Sequence, residues 1–238
     1  YRRSKNSQVQ IQRAYTGDNL SDKALKNIFL KEFHKNNDAK FVPFAGYEMP
    51  INYKKGIINE HLHVREKVGI FDVSHMGQII IPVNDINIKA LETYIPLNLK
   101  NIPLNKCHYS FILNNKGGII DDIMLSKLDD SNQENFYIVY NASRKTVLDE
   151  IFSNICENYN IINNRCLLAI QGPKSYLSLK SILNISETMN FLDINIFQYQ
   201  NSNLYVSRSG YTGEDGFEIS IKNEKVEKFV ELLIENGS

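Results

Sequence analysis

Two neighbouring carboxylates lie inside an apolar segment of this sequence. Asp121 and Asp122 follow Gly117-Gly118-Ile119-Ile120, and a carboxylate that is buried without a partner is unfavourable. Adjacent side chains point to opposite faces of a strand, so the two acids do not form a carboxylate pair. Both could be peripheral and solvated. Alternatively, one faces solvent or the turn and the other faces a pocket, where it can attract a developing cation or accept a proton.

The segment from Gly210 to Glu218, GYTGEDGFE, is rich in glycine and in acids. It contains no lysine and precedes a predicted strand, whereas a phosphate-binding loop needs backbone N–H groups at a helix start. One interpretation is a polar hairpin turn. The other is a ligand-binding loop with an aromatic face and a carboxylate, since Glu218 can accept two parallel hydrogen bonds from a heterocycle.

The segment FDVSHMG, from Phe71 to Gly77, brings an Asp, a Ser and a His close together. Catalytic triads are assembled from separate segments, and the sequence has no G-x-S-x-G motif. The histidines show no HxxxH or HExxH spacing, and Cys107, Cys156 and Cys166 form no CxxC pair. These patterns argue against a hydrolase triad, a metal site and a disulfide framework, and they favour free thiols in a reducing compartment.

Short strands and helices must position these residues. Predicted strands are 69–74, 79–83, 109–113, 119–128, 136–140, 166–171, 203–208 and 217–221, and predicted helices are 20–35, 52–68, 86–95, 143–158, 174–183 and 225–235. Asn114 to Gly118 supplies the Asn and Gly residues that a tight hairpin needs. The predicted strands are connected by hairpins and not by long βαβ crossovers. The predicted fold class is therefore α+β with antiparallel sheets.

Composition excludes several classes of protein. Lys plus Arg and Asp plus Glu each count 27, so the formal net charge is zero, which argues against a dedicated nucleic-acid-binding protein. No apolar run approaches the roughly 18 residues that a membrane-spanning helix needs, so no membrane partner is expected. Residues 1–24 carry several basic residues and no acid before Asp18. This end resembles a transit-peptide remnant, or it is a disordered basic tail.

Seven segments, taken in order, resemble the aminomethyltransferases (T-proteins) of the glycine cleavage system. They are FVPFAGYEMP at 41–50, EHLHVR at 60–65, FDVSHMG at 71–77, GGIIDD at 117–122, NA at 141–142, LAIQGP at 168–173 and GYTGEDGFE at 210–218. The resemblance runs from about residue 25 to residue 235. Each motif alone is weak, but the ordered set is highly specific.

The resemblance implies a T-protein-like fold around a folate channel. Residues 25–78 and 161–238 would form a discontinuous folate-binding domain, and residues 79–160 an inserted ferredoxin-like α+β domain with the catalytic aspartate. Family members continue into a GLGARDxxRLEAG-type segment and a C-terminal β-barrel. Because neither is in this sequence, we expect a C-terminally truncated protein that binds folate weakly.

The resemblance also implies a reaction. A one-carbon unit would pass from the aminomethyl-lipoyl arm of H-protein to tetrahydrofolate, with release of ammonia. Tetrahydrofolate would be a co-substrate without any metal, and lipoylated H-protein would be the partner. The expected location is the mitochondrial matrix.

The family's functional residues can be assigned to positions of this sequence. Asp122 would be the catalytic carboxylate, with Asp121 as its outward neighbour. The folate-binding residues would be Met76, Tyr109, Asn141, Tyr211 and Glu218, with Glu218 at the donor edge of the pterin. Family members often have an aromatic residue where Ser126 stands, so we expect a lighter stacking wall there.

Two other classes share this resemblance. One is a folate-binding iron–sulfur assembly factor that does not transfer aminomethyl groups; its typical KGCYxGQE-like loop is not in this sequence. The other is the folate domain of a flavoenzyme that oxidises sarcosine or dimethylglycine. An upstream flavin fingerprint would support that class, and this sequence contains no GxGxxG.

Overall fold

A computed structural model describes residues 24–186 and 188–237. Most of the predicted basic tail or transit-peptide remnant lies outside the described residues. The strands are β1 Lys26–Asn27, β2 Lys40–Phe44, β3 Tyr47–Asn52, β4 Gly69–Asp72, β5 Gly77–Pro82, β6 Lys106–Leu113, β7 Ile119–Asp130, β8 Gln133–Tyr140, β9 Asn160–Ile161, β10 Arg165–Gln171, β11 Ile194–Tyr199, β12 Ser202–Ser207 and β13 Gly216–Lys222. The α-helices are α1 Lys31–Asn36, α2 Ile57–Glu66, α3 Asp85–Leu91, α4 Lys145–Ile155, α5 Ser175–Lys180 and α6 Asn223–Glu235.

The strands form three sheets. Sheet A has the order β1-β3-β2, sheet B the order β11-β12-β13-β10-β4, and sheet C the order β6-β7-β8-β5-β9. The strand pairs of sheets B and C are antiparallel, which confirms the predicted α+β class. Within sheet C, the order β9-β5-β8-β7 with helices after β5 and β8 is the ferredoxin-like arrangement, to which β6 adds an edge strand.

Helices cover one face of sheet B and one face of sheet C. In sheet B, Leu168 and Ile219 pack into one core with Phe229 of α6. In sheet C, Ile123 and Leu125 pack with Leu148 and Phe152 of α4 in a second core. Successive side chains of a strand point to opposite faces of its sheet. The second face of sheet B and the second face of sheet C therefore remain available to pack against each other.

The two free faces meet in a smaller cluster that contains Tyr137 of sheet C and Tyr205 of sheet B. Gln78 of β5 is buried in this contact. Its Oε1 accepts hydrogen bonds from the hydroxyls of Tyr137 at 2.8 Å and Ser220 at 2.6 Å. One amide therefore ties a sheet C strand to β13 of sheet B.

Two predicted helices differ from the structure. In the described part of 20–35 only Lys31–Asn36 is helical, and Lys26–Asn27 instead pairs with β3. The helix predicted for 52–68 is Ile57–Glu66, because Gly56, with φ of 79°, precedes it and residues up to Asn52 belong to β3. The sequence patterns predict no strand at β1, β2, β3, β9 or β11.

Candidate active site

A cavity of about 460 Å³ lies between the facing sides of sheets B and C. This volume is within the range of small-molecule sites, which are mostly apolar with a few placed polar groups. The wall is largely apolar and aromatic, and it includes Met76, Met124 and Tyr205. Its polar members are His75, Asp122, Ser126, Asn141, Gln171, Ser207, Thr212 and Glu218.

Strand β7 places Asp122 in this wall. Asp122, Met124 and Ser126 face the cavity, whereas Ile123 and Leu125 face the helices of sheet C. Residue 121 is two positions before Ile123 on the same strand, so its side chain points to the same face as those of Ile123 and Leu125. The prediction that the two acids lie on opposite faces is therefore confirmed.

The expectation that Asp121 points outward is wrong. Its side chain is only 6% exposed, because the helix-covered face of sheet C buries it. Oδ1 accepts a hydrogen bond from Asn141 Nδ2 at 2.9 Å, and Oδ2 accepts one from the backbone N–H of Asn141 at 3.1 Å. Burial raises the pKa of Asp121, and the hydrogen bonds from Asn141 act in the opposite direction.

Asp122 is oriented by two neighbours. Asn141 Nδ2 donates to its Oδ1 at 3.0 Å, and the hydroxyl of Tyr109 donates to its Oδ2 at 3.2 Å. Asn141 itself lines the cavity. Its side-chain amide donates hydrogen bonds to both Asp121 and Asp122. Tyr109 is not among the residues of the cavity wall and is 51% exposed, and it contacts the site at Asp122.

Three further predicted folate-binding residues, Met76, Tyr211 and Glu218, lie in the cavity wall. Met76 follows the turn between β4 and β5, and Tyr211 stands at the mouth, 71% exposed. Glu218 of β13 brings a second carboxylate from sheet B. Its Oε2 accepts a hydrogen bond from Ser209 Oγ at 2.5 Å. Burial raises the pKa of Glu218, and the Ser209 hydroxyl opposes that shift.

Gln171 shapes the glycine-rich segment from inside. Its Nε2 donates to the backbone O of Ser209 at 2.9 Å, and its Oε1 accepts from Thr212 Oγ1 at 2.9 Å. A Cβ atom on Gly210 would lie 1.9 Å from Gln171 Oε1, and one on Gly216 would lie 2.3 Å from Nε2. Glycine is required at both positions because the amide packs directly on the backbone.

Arginines hold the same segment from outside. Arg65 Nη2 pairs with Glu214 at 2.8 Å, and Arg208 makes two parallel hydrogen bonds to Asp215 at 2.9 Å and 2.7 Å. These two acids are paired away from the cavity. Glu218 is therefore the acid of this segment that lines the cavity.

Three residues of the wall have no role predicted from the sequence. They are His75, Gln171 and Cys107. For Gln171 the sequence holds a usable signal, because a glutamine ends an apolar run just before Gly172-Pro173. Cys107 is buried and accepts a hydrogen bond from Ser126 Oγ at 3.1 Å. Burial raises the pKa of Cys107 to about 12, so it stays a neutral thiol.

Within residues 24–186 and 188–237, no group of three His, Cys, Asp or Glu side chains could hold a metal ion. No helix in that part of the chain has the length and apolar character to cross a membrane.

The fold and the cavity define the class of protein. Two antiparallel sheets enclose a mostly apolar cavity and each contributes one carboxylate, an arrangement suited to a flat ligand with N–H donors and a reacting centre that becomes positive. Residues 30–238 match the family described as the GCVT N-terminal domain, and the chain belongs to this family. The resemblance inferred from the ordered motifs is confirmed.

Named relatives agree with this family. The chain is 36% identical over 230 residues to the mitochondrial aminomethyltransferase of Dictyostelium discoideum, covering 90% of this chain and 55% of that protein. It is 37% identical over 228 residues to the aminomethyltransferase of Prochlorococcus marinus, covering 89% of this chain and 60% of that protein. The chain thus spans little more than half the length of these relatives.

A solved structure has the same fold. The glycine cleavage system aminomethyltransferase T from Bartonella henselae superposes with a TM-score of 0.79 at 31% identity, covering 89% of this chain and 57% of that one. A heterotetrameric sarcosine oxidase from Corynebacterium has a TM-score of 0.50 at 14% identity, a likeness of fold alone.

Proposed function

We propose that this chain carries the folate site of a tetrahydrofolate-dependent aminomethyltransferase. The whole protein would transfer the one-carbon unit of an aminomethyl-lipoyl H-protein to tetrahydrofolate and release ammonia. The observation that carries this proposal is Asp122, held in the cavity wall by Asn141 and Tyr109. The names of the relatives support it.

The bond changes define what the site must do. The carbon of the S–CH₂–NH₃⁺ group forms bonds to two folate nitrogens and loses its bonds to sulfur and to the amine nitrogen. The two folate N–H protons leave, and the sulfur and the departing ammonia take up protons. A carbon that loses a leaving group before its second bond forms becomes iminium-like, and a fixed carboxylate stabilises that charge. Asp122 would take this role, since its two hydrogen-bond donors fix its orientation.

The remaining wall would bind the folate. Glu218 would accept two hydrogen bonds from the amino and N–H groups of the pterin, which a carboxylate does with good geometry. Met76 and Tyr211 would contact the faces of the rings, and Asn141 would position Asp122 beside the reacting nitrogens. No metal is assigned a part in the proposed reaction.

Two finer proposals accompany the reaction. The mitochondrial matrix is supported by the mitochondrial relatives of Dictyostelium discoideum and Saccharomyces cerevisiae. An inserted domain close to the proposed bounds 79–160 is supported by sheet C, whose strands all come from residues 77–161. The first strand of that sheet begins two residues before the proposed domain, and the last ends one residue after it. The alternative of a folate-binding iron–sulfur assembly factor has no support among the names of these relatives.

The substitution Asp122→Asn tests the proposal in the protein supplied with lipoylated H-protein and tetrahydrofolate. Asparagine keeps the shape and removes the charge, so methylene-tetrahydrofolate formation should fall by about 100-fold or more, while tetrahydrofolate affinity stays within about threefold, because the lost contact acts on the charged reaction centre. Asp129→Asn on the same strand is the matched control, since Asp129 is exposed and outside the cavity. Near-normal turnover in Asp122→Asn would overturn the role of Asp122.

A further inference from the structure

His75 lies in the cavity wall with an unpaired nitrogen. The residue is 8% exposed and lines the cavity, and its Nδ1 has no hydrogen-bond partner among the described residues. Buried polar atoms nearly always find a partner. A buried, unpaired nitrogen at the wall of a ligand cavity therefore points to a partner that the ligand supplies.

The backbone around His75 fixes the ring in place. Asp72 Oδ1 accepts from the backbone N–H of Ser74 at 2.9 Å, and the backbone N–H of Met76 donates to the O of Val73 at 3.0 Å. These hydrogen bonds lie on both sides of residue 75 and fix its backbone, and the imidazole attached there is buried in the cavity wall.

Aromatic neighbours hold the ring by its edges. Its centroid lies 5.6 Å from that of Phe44 and 6.2 Å from that of Tyr47, both in T-shaped contact. These ring contacts pack against the imidazole but supply no hydrogen bond to its nitrogens. Burial lowers the pKa of His75, Asp72 opposes this shift and Lys145 adds to it. The ring is thus neutral at pH 7, with one nitrogen as donor and the other as acceptor.

We propose that His75 contacts the ligand directly, through a hydrogen bond between an imidazole nitrogen and a polar nitrogen or oxygen atom of the bound folate. This inference rests on the proposed function, because the ligand is the tetrahydrofolate assigned above. It adds to the site a side chain from the turn between sheets B and C, the segment that precedes Met76.

The sequence contains a matched control. His108 Nδ1 is also buried without a partner, but His108 does not line the cavity. The two histidines therefore share the unpaired nitrogen and differ in access to the ligand. Phenylalanine keeps a ring at either position and removes both nitrogens.

The test compares His75→Phe and His108→Phe in the full chain by calorimetric titration of tetrahydrofolate under anaerobic conditions and by urea unfolding of the free protein. For His75→Phe we expect an affinity about 3- to 10-fold weaker, the effect of one lost hydrogen bond. The urea midpoint of the free protein should be unchanged or higher, because an unpaired nitrogen is removed. His108→Phe should share the second effect and not the first.

Each outcome separates the two proposals. Wild-type affinity in His75→Phe, or a parallel loss of affinity and stability, overturns the contact and leaves the proposed function intact. Failure of the wild-type protein to bind tetrahydrofolate overturns both. If His75→Phe does not fold, ¹⁵N NMR spectra of the histidine rings in the wild-type protein, recorded with and without tetrahydrofolate, test the contact instead. The His75 ring nitrogen signals should shift when tetrahydrofolate binds and those of His108 should not, and an unmoved His75 signal contradicts the contact.

Discussion

Among the described residues, Glu218 has one side-chain hydrogen-bond partner, the hydroxyl of Ser209, and it lines the cavity. Asp122 has two side-chain donors, from Asn141 and Tyr109. The fold therefore fixes Asp122 fully and leaves Glu218 with spare acceptor capacity. The free acceptor positions of Glu218 suit the binding of N–H donors. The fixed orientation of Asp122 suits stabilisation of positive charge on a reacting carbon.

Glu218→Gln should separate stability from binding. Burial raises the folded-state pKa of Glu218 above the value near 4.3 of a free glutamate. The ionised form is therefore favoured in the unfolded chain, and wild-type stability falls as pH rises through the folded-state pKa. The free variant should be at least as stable as wild type at pH 7, and this difference should vanish toward pH 4.

Ligand affinity should change in the opposite sense. A glutamine would meet the donor edge of the pterin with its own NH₂ group, so tetrahydrofolate affinity should fall by about tenfold or more. Thermal unfolding from pH 4 to 8 and calorimetric titration measure the two effects. Exposed Glu227 provides the control Glu227→Gln. A variant that loses stability specifically at neutral pH would contradict the assigned environment of Glu218.

At the scale of elements, the glycine-rich segment owes its shape to Gln171. Gly210→Ala would drive a Cβ atom into the buried amide, and the amide can move only by losing its bonds to Ser209 and Thr212. We expect a loss of about 2 kcal/mol in unfolding free energy and weaker folate binding, because Tyr211 is the next residue. Urea unfolding and folate titration measure both.

Gly213 and Gln171 supply the controls for that prediction. Gly213 has a φ of 81° but no close neighbour, so Gly213→Ala costs only backbone strain, about 1 kcal/mol. Shortening the amide removes the obstacle. Gly210→Ala combined with Gln171→Ala should therefore be less destabilising than the sum of the single changes, and strict additivity would show that the contact is not the cause.

Sequence patterns predicted elements unevenly. Strands with clear alternation, such as β7 and β8, were placed correctly, as was their antiparallel arrangement. The β2–β3 hairpin was missed because Pro43 and Pro50 interrupt any strand pattern. Its turn at Ala45-Gly46, with φ of 48° and 80°, is not a usual hairpin sequence. The helix predicted for 20–35 failed because Ile28 and Leu30 are buried by tertiary contacts, not by helical periodicity.

At the scale of the whole molecule, Gln78 connects the two sheets. Gln78→Leu would leave the buried hydroxyls of Tyr137 and Ser220 without their acceptor, a loss of about 2–4 kcal/mol. Because Tyr137 lines the cavity, folate affinity should also fall. Urea unfolding followed by circular dichroism and tyrosine fluorescence measures the change. Gln133→Leu, at an exposed position, should have little effect, and equal losses in the two variants would refute the role of Gln78.

The ordered motifs single out segments that meet at the cavity, and the roles of their residues in folate binding stay predictions. The segments with Met76, Asp122, Asn141 and Glu218 were singled out, and the structure brings these residues to one cavity. Alternation alone could not show that helices cover the side of Asp121, since that depends on segments far along the chain. The unpaired nitrogen of His75 is likewise visible only once two sheets face each other.

Only two short connections, residues 73–76 and 162–164, join the sheets along the chain. Whatever occupies the space between them touches both halves and acts as a clamp. A ligand at a hundred times its dissociation constant adds about 2.7 kcal/mol to the folded state, and here that energy resists separation of the sheets. We therefore expect tetrahydrofolate to slow cleavage at these two connections, and limited proteolysis with and without tetrahydrofolate would measure the difference.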